Sequence, residues 1–262
     1  MLSPVTLTRR GDGPPLVELG DLASAGVDAV VTSREGGVSE APYDSLNLGD
    51  HVGDDGARVG ENRRRVAAAM GVDVDHLVIA RQVHGRRVID VDDWRGEALE
   101  GDALITSRED LALAVLVADC VPILLVEPQG RIAVAHAGWR GLASGVVGAV
   151  VERFTQPRAL RAVIGPHISP ARYQVGPEVA EHFAAVEGAC RPDVGDRWRL
   201  DLGAVARAQL LETGVLEENV AAVALSSDDP VFYSDRRQRP CGRFALVARR
   251  RAYDAREMGG PR

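Results

Sequence analysis

Apolar and polar positions along this chain change in short runs rather than with one sustained period. Residues 111–118, 122–127 and 131–135 are almost unbroken apolar stretches of strand length, the pattern of strands buried on both faces. Residues 29–31 and 77–80 are briefer runs of the same kind, and 232–233 and 243–247 predict strands flanking a turn at 238–242. Helical spacing intervenes in three segments. Residues 61–70 predict a helix with Arg on its outer face, 141–154 a small apolar helix, and 203–211 a helix capped by Asp201 and stopped by Gly214. Several neighbouring strands stand too close together for crossover helices, so the expectation is an α+β fold with mixed sheets rather than a regular βαβ array. No linker and no internal repeat interrupts residues 1–262, which reads as a single domain.

Composition narrows the class. With 262 residues, 45% hydrophobic and 26% charged, the chain has ordinary globular composition and can bury a core without disulfides or a structural metal. Its three cysteines include no CxxC pair, which argues against a disulfide framework. The net charge is −7 and all 31 basic residues are Arg. An acidic chain with scattered Arg lacks the footprint of a nucleic-acid binder, and the absence of Lys excludes lysine Schiff-base chemistry. Residues 1–15 lack the apolar core of a secretory signal, and a Gly/Pro-rich turn is expected at 11–15. The longest apolar stretch, 111–126, contains Asp119 and Pro122 and is too short to span a bilayer. The expectation is a cytoplasmic protein with no membrane partner, a monomer or small homo-oligomer, frayed from residue 255 onward.

The chemistry concentrates in 115–141, VLVADCVPILLVEPQGRIAVAHAGWRG. Pro128, Gln129 and Gly130 make a three-residue turn between two strand-like runs, a hairpin signal. If Glu127 pairs with Arg131, the antiparallel register brings Pro122 opposite His136, and Cys120 lies two residues beyond Pro122 at the same sheet end. The hairpin alone therefore brings a thiol and an imidazole together, with Asp119 beside the Cys. Two chemistries stay open: a His-activated thiolate nucleophile, or a Zn²⁺ site if one more ligand joins and a fourth position stays free. His84 in RQVHGRRV, with polar Gln82 and before Gly85, is a candidate third ligand. His51, His76, His167, His182, Cys190 and Cys241 have no partner that local spacing supplies.

Four further segments carry polar candidates. In 137–145, AGWRGLASG, glycines open the small apolar helix: either they expose N–H groups to an anion beside the Arg140 fork, suited to phosphate or carboxylate, or they only permit close packing with Arg140 on the surface. It is neither a P-loop nor a Rossmann fingerprint, and GxSxG and HExxH are missing from the chain. Residues 33–55, SREGGVSEAPYDSLNLGDHVGDD, form a long polar loop with Arg34, Asn47 and His51, of the length that tends to be functional; it is read as substrate-facing. Residues 165–179 bring Tyr173 into a loop, and 232–246 gather Arg236, Arg237 and Arg243 around a hairpin, either solvated surface or an anion site.

Taken together, SREGGVSEAPYDSLNLGDHVGDD, RQVHGRRV, GDALIT, LAVLVADCVPILLV, AHAGWRGLASG, IGPHISPARYQVGPEV, LDL…QLLETGV and FYSDRR…CGRFAL, in this order over about 31–247, resemble one family. It is described variously as multicopper polyphenol oxidase (laccase-like), peptidoglycan editing factor and purine nucleoside phosphorylase. The resemblance implies a metal site of His84, Cys120 and His136, and a four-layer α/β/β/α sandwich shared with a toxin deamidase that uses a Cys–His pair. It further implies zinc enzymes that phosphorolyse adenosine, inosine, guanosine or methylthioadenosine and deaminate adenosine, with nucleoside and phosphate as partners. Copper at the same trio is the alternative cofactor. On this reading Arg140 is the phosphate candidate, Arg34 and Asn47 position substrate, and Asp119 is an acid, a base or a ligand-orienting group. Gln174 stands where relatives often have Glu, Leu225 and Ser226 near where they have Cys-Thr, and Asp235 where Tyr or Phe is commoner, which bears on substrate preference.

Overall fold

Two six-stranded sheets form the centre of the computed structural model, which describes residues 7–19, 22, 25–128 and 130–251. The first sheet runs in the order β1 (Leu7–Arg9), β2 (Pro15–Glu18), β3 (Val27–Thr32), β15 (Phe244–Arg250), β7 (Ala112–Val117) and β4 (Leu77–Ile79). The second runs β14 (Val220–Ala222), β10 (Arg161–Ile164), β8 (Val121–Val126), β9 (Ile132–Ala137), β6 (Ala103–Thr106) and β5 (Val88–Asp90). A small third sheet joins β11 (Gln174–Val175), β13 (Trp198–Leu200) and β12 (Cys190–Pro192). Both large sheets mix parallel and antiparallel pairs, as the short connections require.

Helices cover the outer faces. α1 (Gly56–Ala69) packs Val66 and Ala67 on the first sheet, while α2 (Trp139–Ser144), α3 (Val146–Val151), α4 (Pro177–Ala180) and α5 (Leu202–Glu212) cover the second. The buried side chains accordingly separate into three apolar layers: α1 against sheet, sheet against sheet, and sheet against α2–α5. The pleat sorts them. Along β7, Ala112, Ala114 and Leu116 face α1, whereas Leu113, Val115 and Val117 face the second sheet. Along β8, Leu124 and Val126 face the first sheet, and Val121, Ile123 and Leu125 face the helices. This two-sided burial is why these strands read as unbroken apolar runs. Mixed sheets between helical layers match the expected α/β/β/α sandwich.

Most predicted elements recur within a residue or two, and the exceptions have local causes. α1 begins five residues before the expected 61, because the Asp55 side chain accepts from the N–H groups of Ala57 and Arg58 and nucleates the helix there. The segment 141–154 is two short helices, since Gly145 adopts φ +84° and interrupts the hydrogen-bond ladder. Residues 232–233 are no strand. Phe232 lies in a bend and Tyr233 in irregular backbone, both packed into the inter-sheet layer, so apolarity there reported burial alone. Asp201 caps α5 by accepting from Ala204 N–H, as its position predicts. The N-terminal six residues, Gln129 and the segment from 255 onward lie outside the described residues. Among the described residues no helix is long and apolar enough to cross a membrane.

The topology positions the site through two sheet changes. The chain leaves β7 in the first sheet and enters β8 in the second across Ala118, Asp119 and Cys120, with Asp119 at φ +104°. It also leaves β4 in the first sheet and reaches β5 in the second across 80–87, with His84 at φ +59°. Because β4 and β7 are parallel neighbours, both departures occur at the same end of the sandwich. β9 ends there too, and β6 begins there, since Ala103 pairs with Ala135.

Candidate metal centre

His84, Cys120 and His136 converge at this end, with one ligand atom from each lying within 4.8 Å of the others. The hairpin delivers two of them. β8 and β9 pair from Val126–Ile132 to Val121–Ala137, with Pro122 opposite His136. Even-numbered positions on both strands face the inter-sheet layer, so the His136 ring and the Cys120 sulfur emerge on one side of the second sheet. His84 closes the group from the first sheet. Its Nε2 is 3.9 Å from Cys120 Sγ, and its ring meets that of His136 edge-on at 4.7 Å.

Two anchors hold the His84 loop. The Gln82 amide donates to Leu116 O at 2.8 Å and accepts from Leu116 N–H at 2.7 Å, continuing the edge of β7 with a side chain in place of backbone. The Asp102 carboxylate accepts from three successive N–H groups, Val83 at 3.3 Å, His84 at 2.9 Å and Gly85 at 2.7 Å. Such a nest of amides around an anion compensates the left-handed backbone at His84. Asp102 also contacts His136 Nδ1 at 2.9 Å, and its carbonyl accepts from His136 N–H at 2.7 Å. The contact fixes His136 with its proton on Nδ1, leaving Nε2 as the ligand nitrogen.

Electrostatics favour a metal-binding thiolate. Burial alone raises the Cys120 thiol, but the neighbouring His136 and His84 outweigh it and draw the group down to about 6. Burial lowers His136, while the Cys120 sulfur and the Asp102 carboxylate together lift it to about 9. Burial opposes ionisation of Asp102, yet the bonds from His136, Gly85 and Val83 hold it below the usual carboxylate range. Without metal, the three groups therefore form a thiolate–imidazolium–carboxylate relay. Gly138 permits this crowding: a Cβ there would come within 2.9 Å of both Cys120 Sγ and His84 Cδ2.

The donor set fits a metal on its own chemistry. Two imidazoles and a thiolate suit Zn²⁺, and both imidazole and thiolate ligands also suit copper. All six histidines of the chain are described, and His84, Cys120 and His136 are the one group of three ligands among the described residues.

The other expected residues lie around this centre in different roles. Asp119 is buried, and both its oxygens are engaged: Oδ1 accepts from Ser227 Oγ at 2.8 Å and Oδ2 from Arg236 N–H at 2.7 Å. Those bonds make it a tie between loops. Arg140 is exposed and stacks on the Trp139 ring at 4.4 Å, and α2 behind it has only six residues. Arg34 donates to Asp44 O at 3.0 Å and covers the Tyr233 ring at 4.9 Å. Asn47 is fully buried, donates to Gly49 O and the Asp54 carboxylate, and accepts from the N–H groups of Gly49 and Arg243. The side chain expected to face substrate instead fixes the 33–55 loop to the strand entering at Arg243. Among the described residues no hydrogen bond or ring contact joins Arg34 or Asn47 to the trio.

Sequence reasoning missed Asp102. Asp102 lies in GDALIT with no neighbouring His or Cys, and only its position at the start of a strand pairing with the His136 strand marks it. Tyr173 was read as a loop aromatic. It packs half-buried against the helical layer beneath the Arg236 guanidinium, 5.1 Å from its ring. Burial and the nearby Cys120 push its hydroxyl up to about 12, against the opposing arginines Arg236 and Arg140.

Comparison with known proteins places this geometry in company. The sequence model of a family described as multi-copper polyphenol oxidoreductase laccase matches residues 28–251. A protein named purine nucleoside phosphorylase from Mycobacterium tuberculosis is 42% identical over 231 residues, covering 86% of this chain and 92% of its own. Purine nucleoside phosphorylase YfiH of Escherichia coli is 38% identical over 225 residues, covering 84% and 92%. Among solved structures, YlmD from Geobacillus stearothermophilus superposes with a TM-score of 0.87 at 33% identity, over 95% of this chain and 100% of that one. The Bacillus licheniformis hypothetical protein YfiH gives 0.86 at 30% identity, over 92% and 98%.

Proposed function

The chain belongs to the multi-copper polyphenol oxidoreductase laccase family, and from that premise we propose that it is a cytoplasmic, metal-dependent purine nucleoside enzyme. The proposed reactions are phosphorolysis of adenosine, inosine, guanosine or methylthioadenosine, and deamination of adenosine. The relatives' name, purine nucleoside phosphorylase, supports nucleoside and phosphate as substrates. The observation that carries the reading is the His84–Cys120–His136 group, held by Asp102 so that its ligand atoms face one point.

Those three residues are the proposed metal ligands. Bound Zn²⁺ would supply a Lewis acid and a water acidified toward neutral pH. Asp102 keeps the His136 proton on Nδ1 and holds the His84 turn, so both imidazoles would be oriented to hold the metal. In phosphorolysis a phosphate oxygen bonds to the anomeric carbon, the glycosidic C–N bond breaks, and the base leaves with a proton. In deamination water replaces the amino group at C6 and ammonia departs. Arg140 is the proposed anion contact and Arg34 a substrate contact, while Asn47 and Asp119 act as positioning residues.

Copper at the same trio, with phenol oxidation, is supported by the family's description. A multicopper centre needs more ligand groups than the one among the described residues, which favours zinc. A second reading, a thiol amidase acting on peptidoglycan precursors, is favoured by the Cys120–His136–Asp102 relay and its lowered thiol.

The test is incubation of metal-analysed protein with adenosine and phosphate, with adenine and inosine resolved by chromatography. Chelation should stop both products and added zinc restore them. Activity that survives chelation but not alkylation of Cys120 supports the amidase reading instead, and copper-dependent oxygen consumption on a phenol supports the oxidase.

A further inference from the structure

A cavity of about 450 Å³ is tied to the trio's end of the sandwich through Asp119, which precedes Cys120 in the chain and accepts from the Arg236 N–H at the cavity wall. Four arginines line it, Arg172, Arg199, Arg236 and Arg237, against a single carboxylate, Asp228. In a chain of net charge −7 such a local surplus of cation is no background feature.

The way these guanidinium groups are held is informative. Arg199 alone has a carboxylate partner, Asp193 at 2.6 Å. Arg236 donates to Gln174 O at 2.9 Å, and Arg237 to Asp228 O and Phe232 O at 2.7 Å each. Arg199 also donates to Ala171 O at 2.8 Å. Backbone carbonyls orient a guanidinium without neutralising it, so the fork is fixed while its charge and its remaining N–H groups stay available. The Arg172 N–H donates to Ser169 O at 2.9 Å, while its side chain makes no hydrogen bond or ion pair among the described residues. The Asp228 carboxylate is itself engaged, accepting from the Ser169 N–H and hydroxyl; burial raises it, but the Ser226 hydroxyl and these Ser169 bonds outweigh burial and hold it below the usual carboxylate range.

We propose that this arginine-lined cavity binds a tetrahedral oxyanion, as inorganic phosphate or as the phosphate of a small polar ester such as a pentose phosphate. The forks of Arg236 and Arg237, held by carbonyls and without a carboxylate partner among the described residues, suit a dianion better than a single carboxylate. The volume exceeds what one phosphate fills and leaves room for a sugar-sized body. Delivery of this phosphate to the metal trio rests on the phosphorylase reading; binding of the anion does not.

Calorimetric titration of the metal-loaded full chain with inorganic phosphate, and separately with ribose 5-phosphate, tests the proposal. At least one should saturate below roughly 10 mM, and the tighter of the two identifies the source. Arg172→Ala breaks no internal bond, and it and Arg236→Gln should each weaken binding about five- to tenfold. Arg81→Ala, outside the cavity and paired with Glu100, should leave it unchanged. Failure of both probes to saturate, or wild-type affinity in both cavity variants, overturns the proposal. Binding that depends on the arginines without any phosphorolysis keeps the cavity and removes the phosphorylase reading. Phosphorolysis with an unchanged KM for phosphate in Arg172→Ala does the reverse.

Discussion

Asp102 and Asp119 are both buried carboxylates at the end of the sandwich where the chain changes sheets, and they serve different walls of it. Asp102 gathers the N–H groups of Val83, His84 and Gly85 together with the imidazole of His136, so its bonds end on residues that carry ligand atoms. Asp119 gathers the Ser227 hydroxyl and the Arg236 N–H, and its carbonyl accepts from Ile168, so its bonds end on loops far away in sequence. Both compensate a left-handed, non-glycine backbone, His84 in one case and Asp119 itself in the other. The contrast teaches that the buried acid next to a cysteine in sequence need not be the one bonded to that cysteine's histidine neighbour. The residue adjacent in sequence ties loops together, and the residue contributed by another strand orients His136 and the His84 turn.

The sharpest way to break the contrast is to remove each carboxylate. Asp102→Ala strands three amides and an imidazole, so metal affinity should fall about 10- to 100-fold and stability by about 3 kcal/mol or more. Metal analysis after dialysis and denaturant unfolding measure the two losses. Gly138→Ala probes the same wall sterically. Its methyl would press on Cys120 Sγ and His84, and metal affinity should drop about tenfold with the fold intact by circular dichroism. Asp119→Asn should do the opposite, costing about 1–3 kcal/mol of stability while changing metal affinity less than about threefold. Equal effects of the Asp102 and Asp119 substitutions on metal affinity would erase the distinction.

The smallest effect needs no substitution. In metal-stripped protein the Cys120 thiol is drawn down to about 6 by His136 and His84 against its burial. Thiolate therefore predominates at neutral pH and is lost as pH falls through about 6, a value that belongs to the Cys120–His136 pair. The rate of alkylation by iodoacetamide should follow that midpoint, whereas a thiol at its ordinary value would still be mostly protonated there.

How much of this was legible beforehand differs between the two walls. The β8–β9 register was readable because a short turn after Glu127 fixes pairing over the whole hairpin, and it brought Pro122 opposite His136. Local sequence could nominate His84 as a third ligand, through the polar Gln82 and the following Gly85. It gave no sign that the Gln82 amide would continue the edge of β7. Asp102 was hidden because its carboxylate's partners come from two distant segments, and no spacing rule connects 83–85, 102 and 136. Asn47 misled for the converse reason. A polar residue in a long loop looks solvent-facing, but this loop folds over its own amide and is fully closed around it. The break at Gly145 was written in the sequence as a glycine inside an apolar helix, and its left-handed backbone is what separates α2 from α3.

The most direct test of the account is cobalt titration of metal-stripped protein, read by the thiolate-to-metal charge-transfer band and by recovery of adenosine turnover. One equivalent of Co²⁺ per chain should bring both signals to a plateau together. Ala at His84, Cys120 or His136 should remove the plateau, and Cys120→Ala should remove the charge-transfer band altogether. Turnover at the wild-type rate in the stripped protein, or an unchanged spectrum in the Cys120 variant, would contradict a metal centre built from these three side chains.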